Sequence, residues 1–130
     1  MSKTAGSNAL NVADMAMQAG EDLSAKQYHF VKMDTDEGDV VAAGANEKVL
    51  GVLQNAPVSG EAASVRTARG VSSKVVAGEE IAPGDRIQSN AAGRGITATG
   101  AAQKICGVAV TGASADGEVF EMIQLDDYVA

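Results

Sequence analysis

A short apolar run that occurs twice constrains the fold of this chain more than any other feature. Residues 48–53 read KVLGVL, and residues 104–109 read KICGVA. Glycine-led pairs flank both copies in the same order: Gly38-Asp39 and Gly60-Glu61 around the first, Gly84-Asp85 and Gly117-Glu118 around the second. The repeat predicts two similar three-strand units, each with an incomplete apolar face, that pack about a pseudo-two-fold axis into one small barrel or sandwich.

Each copy of the run carries a glycine in the middle of a predicted strand, at Gly51 and at Gly107. A glycine in a strand interior marks a bulge or a close approach of neighbouring backbone, as the bending of a strand into a barrel requires. A glycine-rich insert at residues 91–100 separates the second Gly-Asp pair from the second copy. We expect this insert to form a hairpin or a loop.

Short apolar runs separated by Gly and Asp turns continue from residue 27 to the C-terminus, which is the spacing of strands. The predicted strands are Tyr28–Met33, Val40–Ala43, Val49–Gln54, Ala62–Arg69, Val71–Ala77, Asp85–Gln88, Gly95–Ala98, Lys104–Val110 and Val119–Leu125. The apolar residues, 45% of the chain, are mostly Ala and Val, and Trp is absent. The sequence therefore predicts one all-β domain with a thin core, which oligomerisation helps to stabilise.

Residues 1–26 differ in composition from the rest, and we predict an N-terminal extended arm there, followed by a β-domain over residues 27–130. Its larger apolar side chains are candidate contacts to a partner: Leu10, Val12, Met15, Met17 and Leu23. A segment of this kind orders when such side chains find a surface to bury against. The alternative is that the segment forms an edge strand or a short helix of the domain itself.

The charge of the chain bears on its partners. A net charge of −7, with the carboxylates scattered along the sequence, argues against direct binding of nucleic acid, because phosphates repel such a surface. No apolar run approaches the roughly 18 residues needed to cross a bilayer, so we expect no membrane partner. The N-terminus lacks the basic and apolar segments of a secretory signal, and we expect synthesis in the cytoplasm.

The residues that support catalysis are few. The chain has one histidine, His29, and one cysteine, Cys106. A nucleophilic enzyme needs a nucleophile, a base and an orienting group within hydrogen-bond reach. Alternation along the predicted strand puts His29 on a solvated face, whereas Cys106 stands where Leu50 stands in the first copy and is expected in the core. We therefore predict no enzymatic activity and no cofactor.

Four carboxylates surround Gly38, at Asp34, Asp36, Glu37 and Asp39. Their alternation resembles a calcium loop, but Ala45 occupies the twelfth position, where such a loop carries a bidentate Glu. A solvated hairpin turn is the favoured interpretation, and no metal is predicted. The alternative is a ligand-binding module, in which this turn and the glycine-rich insert line a small carbohydrate or metal site at a barrel mouth.

Residues 49–65, VLGVLQNAPVSGEAASV, resemble a family of small phage proteins known as capsid cement or head decoration proteins. The resemblance extends over residues 38–125 through further segments: Gly70-Val71, residues 81–87, residues 89–94 and residues 107–109. It implies a β-barrel-like or tulip domain that assembles as a homotrimer on the outer surface of a virion capsid. The implied partner is the major capsid protein, whose neighbouring capsomers the trimer bridges.

Overall fold

The computed structural model describes residues 13–34, 38–100 and 103–127. These residues form ten strands and no helix: β1 Asp14–Gln18, β2 Phe30–Met33, β3 Val40–Ala42, β4 Gly51–Leu53, β5 Ala62–Arg66, β6 Ser72–Val76, β7 Arg86–Ser89, β8 Gly95–Thr97, β9 Ile105–Ala109 and β10 Val119–Asp127. The all-β prediction is confirmed, and each of the nine predicted strands has a counterpart. Strand β1 is additional.

The ten strands form two antiparallel five-stranded sheets with the same internal order. The first sheet runs β1-β5-β4-β2-β3 and the second runs β6-β10-β9-β7-β8, so adding five to each strand number of the first gives the second. We call β1 to β5 the first unit and β6 to β10 the second unit. The repeated unit thus has five strands rather than three, and neither sheet closes into a barrel over the residues that the structure describes.

Strand register and turn geometry identify the equivalent positions of the two units. Gly51 pairs with Val31 in the first unit, and Gly107 pairs with Ile87 in the second. The Gly-Glu pairs are also equivalent, because both glycines have positive φ and donate a 2.8 Å backbone hydrogen bond to an alanine carbonyl: Gly60 to Ala19 and Gly117 to Ala77. Strand β1 is therefore the counterpart of β6, inside the repeat.

The two Gly-Asp pairs are not equivalent, and this part of the prediction is wrong. Gly38 precedes β3, whereas Gly84 precedes β7, the counterpart of β2. The true counterpart of Gly38 is Gly93, which lies two residues before β8 with a φ of 81° against 78° at Gly38. Gly-Asp is a common turn pair, so its recurrence did not identify equivalent turns. The glycine-rich insert contains β8 and the β7–β8 hairpin turn, as expected.

The core divides into two clusters that the units share unequally. The first cluster draws on the first unit alone: Ala19, Leu23, Val31, Val40, Leu53, Ala63 and Val65. The second cluster combines side chains of the second unit with four from the first, Phe30, Ala43, Val49 and Val52. Because side chains alternate across a strand, Phe30 and Val52 lie on the opposite face of the first sheet from Val31 and Leu53. The first unit therefore packs one face against the core of the second.

Candidate functional site

The residues predicted to contact a partner fall at different depths. Leu10 and Val12 lie outside the described residues. Met15 and Met17 belong to β1, which pairs with β5 over its whole length, and Leu23 is fully buried in the first core cluster. The role of these side chains in binding a capsid, and the domain boundary at residue 26, stay predictions.

Strand β1 is attached to the first sheet by side chains as well as by backbone. Arg66 on β5 donates two hydrogen bonds to the Asp14 carboxylate, from Nε to Oδ1 at 2.7 Å and from a terminal nitrogen to Oδ2 at 3.2 Å. Beyond the strand, Gly20 donates to the carbonyl of Val40 at 2.8 Å, which links the β1 side of the sheet to β3. Strand β1 is an edge strand of the first sheet, and these bonds hold it in that position.

The segment that enters β2 joins the two units. The amide of Val76, the last residue of β6, donates to the carbonyl of Tyr28 at 2.9 Å. The amide of Phe30 donates to the carbonyl of Gly93, in the turn before β8, at 2.8 Å. Residues 28–30 therefore cover the side of the second sheet between its two edge strands, and the ring of Phe30 enters the second core cluster.

Polar contacts extend this junction between the units. Gln54 donates from Nε2 to the hydroxyl of Ser73 at 3.0 Å. The backbone N–H of Asn46 donates to the carbonyl of Ser89 at 2.9 Å. Gln124 donates from Nε2 to the carbonyl of Arg66 at 2.9 Å. Since Ser73, Ser89 and Gln124 are all buried, these bonds satisfy polar groups that would otherwise cost free energy.

His29 is buried, so the predicted solvated face is wrong. The reason is that His29 lies at the junction between the units, where Arg94 of the second unit also contacts it. Nδ1 lies 3.1 Å from the carbonyl of Gln27, which can only accept, so Nδ1 carries the proton and Nε2 accepts from Nε of Arg94 at 3.3 Å. Burial lowers the pKa of His29, and the positive charges of Lys26 and Arg94 lower it further, against the opposing bond to Gln27.

The remaining candidate groups have structural surroundings. Cys106 is buried in the second core cluster, as expected. In the acidic turn, Gly38 donates to the carbonyl of Asp34 at 2.8 Å, and Asp34 donates to that of Asp39 at 2.7 Å, which is hairpin geometry. Asp36 and Glu37 lie outside the described residues. Over the described ranges, no group of three or more His, Cys, Asp or Glu side chains is placed to hold a metal ion.

Strand β10 exposes apolar side chains that are not among the predicted contact residues. Its residues alternate between buried Phe120, Met122 and Gln124 and exposed Val119, Ile123 and Leu125. Val110, which follows β9, is also exposed. The available signal was the pairing of two large apolar residues at Val119-Phe120 and at Met122-Ile123, because a strand with apolar residues on both faces is typically covered on both.

The family model for phage cement proteins matches residues 11–124. The chain belongs to the phage cement protein family. The match begins well before residue 38, where the resemblance began, and it includes β1. Membership makes this cement protein a structural, head-associated phage protein, and the family implies a location on the virion capsid.

Two further comparisons concern curated proteins and solved structures. No curated protein matches the sequence of this cement protein. Among solved structures, the head fiber gp8.5 N base of bacteriophage phi29 is similar, with a TM-score of 0.70 at 18% identity, covering 86% of this chain and 92% of that chain. At that identity the similarity shows a shared fold. No helix in the described part of the chain is long and apolar enough to span a membrane.

Proposed function

We propose that this chain binds the outer surface of a phage capsid as a homotrimer and stabilises the head by bridging subunits of the major capsid protein. The observation that carries the proposal is the family match over residues 11–124. A cement protein of this kind acts through binding alone, so the chain performs no reaction and needs no cofactor. Several weak, symmetry-related contacts per trimer add up to firm attachment through effective concentration.

We propose that the N-terminal residues make the contact with the capsid. Of the five apolar side chains assigned to this role, Leu23 is buried and Met17 packs against the first core cluster, so both already stabilise the fold. Met15 is half exposed but belongs to β1, so it too is part of the fold. We therefore assign the capsid contact to Leu10 and Val12.

Binding to phage heads assembled without this protein tests the function. We expect saturable binding on the outer surface, located by cryo-electron microscopy, and a higher temperature of head disruption in its presence. Heads that bind no protein, or that are equally stable with and without it, would contradict the proposal.

A pair of double variants tests whether the apolar N-terminal side chains bind the capsid. The double variant Leu10→Asp and Val12→Asp is expected to lower the affinity for heads at least tenfold, because each Asp loses apolar contact and must be desolvated. Ser7→Asp with Asn8→Asp adds the same charge to the same segment and serves as the matched control. Equal loss in both variants would show that charge, and not apolar contact, governs binding.

A further inference from the structure

Equivalent positions on the two units differ sharply in exposure. Leu53, Val65 and Met15 stand in register in the first sheet, as Ala109, Met122 and Ser73 do in the second. Met33 and Ser89 are likewise equivalent. Met33 pairs with Val40, the first residue of β3, and Ser89 pairs with Gly95, the first residue of β8. Ser73 and Ser89 are 2% and 1% exposed, whereas Met15 and Met33 are 50% and 38% exposed.

The first unit causes this difference, because it covers that side of the second unit. The backbone shows the same asymmetry at the equivalent turn glycines. A Cβ on Gly93 would meet the carbonyl oxygens of Phe30 and Ala43 at 3.1 and 3.4 Å, whereas a Cβ on Gly38 would meet no atom of the described residues within 4 Å. We call the side of the first unit marked by Met15, Met33 and Gly38 its open side. It is apolar where the covered counterpart is polar.

The covering surface also has an equivalent in the second unit. Phe30, Val52 and Gln54 of the first unit make the contact, and their register counterparts in the second unit are Arg86, Val108 and Val110. Phe30 and Val52 are fully buried, whereas Arg86 and Val108 are half-buried and Val110 is 49% exposed. We call Arg86, Val108 and Val110 the outer face of the second unit. The outer face therefore repeats the covering surface, and we call it the donor surface; the open side repeats the covered surface, and we call it the acceptor surface.

We propose that copies of this chain join head to tail, with the outer face of the second unit of one copy seated on the open side of the first unit of the next. The occupant is a second copy because the contact continues one that each chain already makes between its own units. A heterologous contact closes into a ring when the rotation between copies divides a full turn, as it must in the proposed homotrimer. The inference rests on the proposed function in that it supplies the interface of the oligomer.

Complementary variants test the head-to-tail arrangement in free solution. The acceptor variant carries Met15→Glu with Met33→Glu, and the donor variant carries Val108→Glu with Val110→Glu. By sedimentation velocity we expect the wild type to form a closed oligomer. Each variant alone is expected to stay monomeric up to concentrations at least tenfold above the one at which the wild type is half dissociated. An equimolar mixture retains one intact donor and one intact acceptor, so it is expected to form a dimer and nothing larger.

The control is Val58→Glu, which adds the same charge at an exposed valine outside both surfaces and is expected to keep the wild-type mass. Circular dichroism and thermal unfolding establish that each variant is folded. A monomeric wild type, variants with wild-type mass, or a mixture that stays monomeric would each overturn the proposal. A monomeric wild type that oligomerises once residues 2–12 are deleted would identify those residues as the occupant instead. Because head binding is measured separately, a chain that binds heads without forming this ring leaves the proposed function standing.

Discussion

Gly51 and Gly107 occupy the same place in the two sheets, each facing a carbonyl oxygen of the neighbouring strand. A Cβ on Gly51 would overlap the carbonyl oxygen of Arg66 on β5, and a Cβ on Gly107 would overlap that of Ile123 on β10. Neither glycine has positive φ, so the requirement is for space and not for backbone conformation. The close approach of adjacent backbones accounts for a glycine in the middle of each copy of the repeated sequence.

Substituting either of these glycines with alanine is expected to destabilise the fold. Gly51→Ala and Gly107→Ala each force β4 or β9 away from a neighbouring strand, and overpacking of this kind costs about 1–3 kcal/mol. Gly100→Ala is the control, because a Cβ there would make only ordinary contact with Gln103 and the backbone φ is not left-handed. Urea unfolding curves measure the difference, and equal midpoints for the three variants would contradict the role of the close approach.

Phe30 is the side chain through which the first unit completes the core of the second. Phe30→Ala is expected to lower the free energy of unfolding by about 3–5 kcal/mol, because it removes a fully buried ring and leaves a cavity between the units. Val119→Ala, which truncates an exposed residue, is the control and is expected to change stability by less than about 0.5 kcal/mol.

The cooperativity of unfolding provides a second test of the junction between the two units. Since four side chains of the first unit belong to the second cluster, the two units are expected to unfold together in one transition. Tyrosine fluorescence and far-ultraviolet circular dichroism, followed in the same denaturant series, should give coincident curves. Two separated transitions in the wild type would show that the units are independent.

The strands could be predicted from the sequence because each is short, apolar and bounded by turn residues. The predicted run Val119–Leu125 and the observed Val119–Asp127 start at the same residue. The repeat could also be detected, since Gly51 and Gly107 are required by the same close approach in both units. These features depend on local sequence and on backbone sterics, which one chain displays directly.

Strand β1 and the environment of His29 could not be predicted in the same way. The counterpart of β1 is β6, but Met15 and Met17 replace Ser73 and Val75, so no sequence similarity marks the equivalence. His29 is buried by the other unit, which alternation within its own strand cannot indicate. The first feature depends on pairing with β5, far along the chain, and the second depends on how the two units pack; neither leaves a periodic pattern in the sequence.

Truncation of the N-terminus is expected to separate two roles. Deleting residues 2–12 retains β1, its pairing with β5 and the buried Leu23, so we expect a folded protein with little change in stability. Deleting residues 2–25 removes an edge strand and Leu23, and loss of a buried leucine alone costs about 2–5 kcal/mol. Thermal unfolding of both proteins checks this expectation. Equal stability of the two would mean that β1 contributes nothing to the domain.

The ionisation of His29 is expected to make stability depend on pH between neutral and mildly acidic conditions. The pKa of His29 is lowered from its ordinary value of 6.5, chiefly by burial, so the unfolded chain binds the proton more readily than the folded one. Stability is therefore fully present above pH about 6.5 and falls as the pH drops from there toward the folded pKa. Protonation also places a second N–H donor against Nε of Arg94, which removes the acceptor of that bond.

His29→Gln isolates this contribution, because glutamine is polar and does not titrate. Urea midpoints measured from pH 7.5 to 5.5 are expected to fall for the wild type and to stay nearly constant for the variant. Carboxylates act at lower pH: a hydrogen bond from Lys32 lowers the pKa of Glu47 below its ordinary 4.5, so its stabilisation is lost only as the pH falls below that value. Parallel curves for the wild type and His29→Gln between pH 7.5 and 5.5 would show that the junction between the units does not hold His29 in its neutral form.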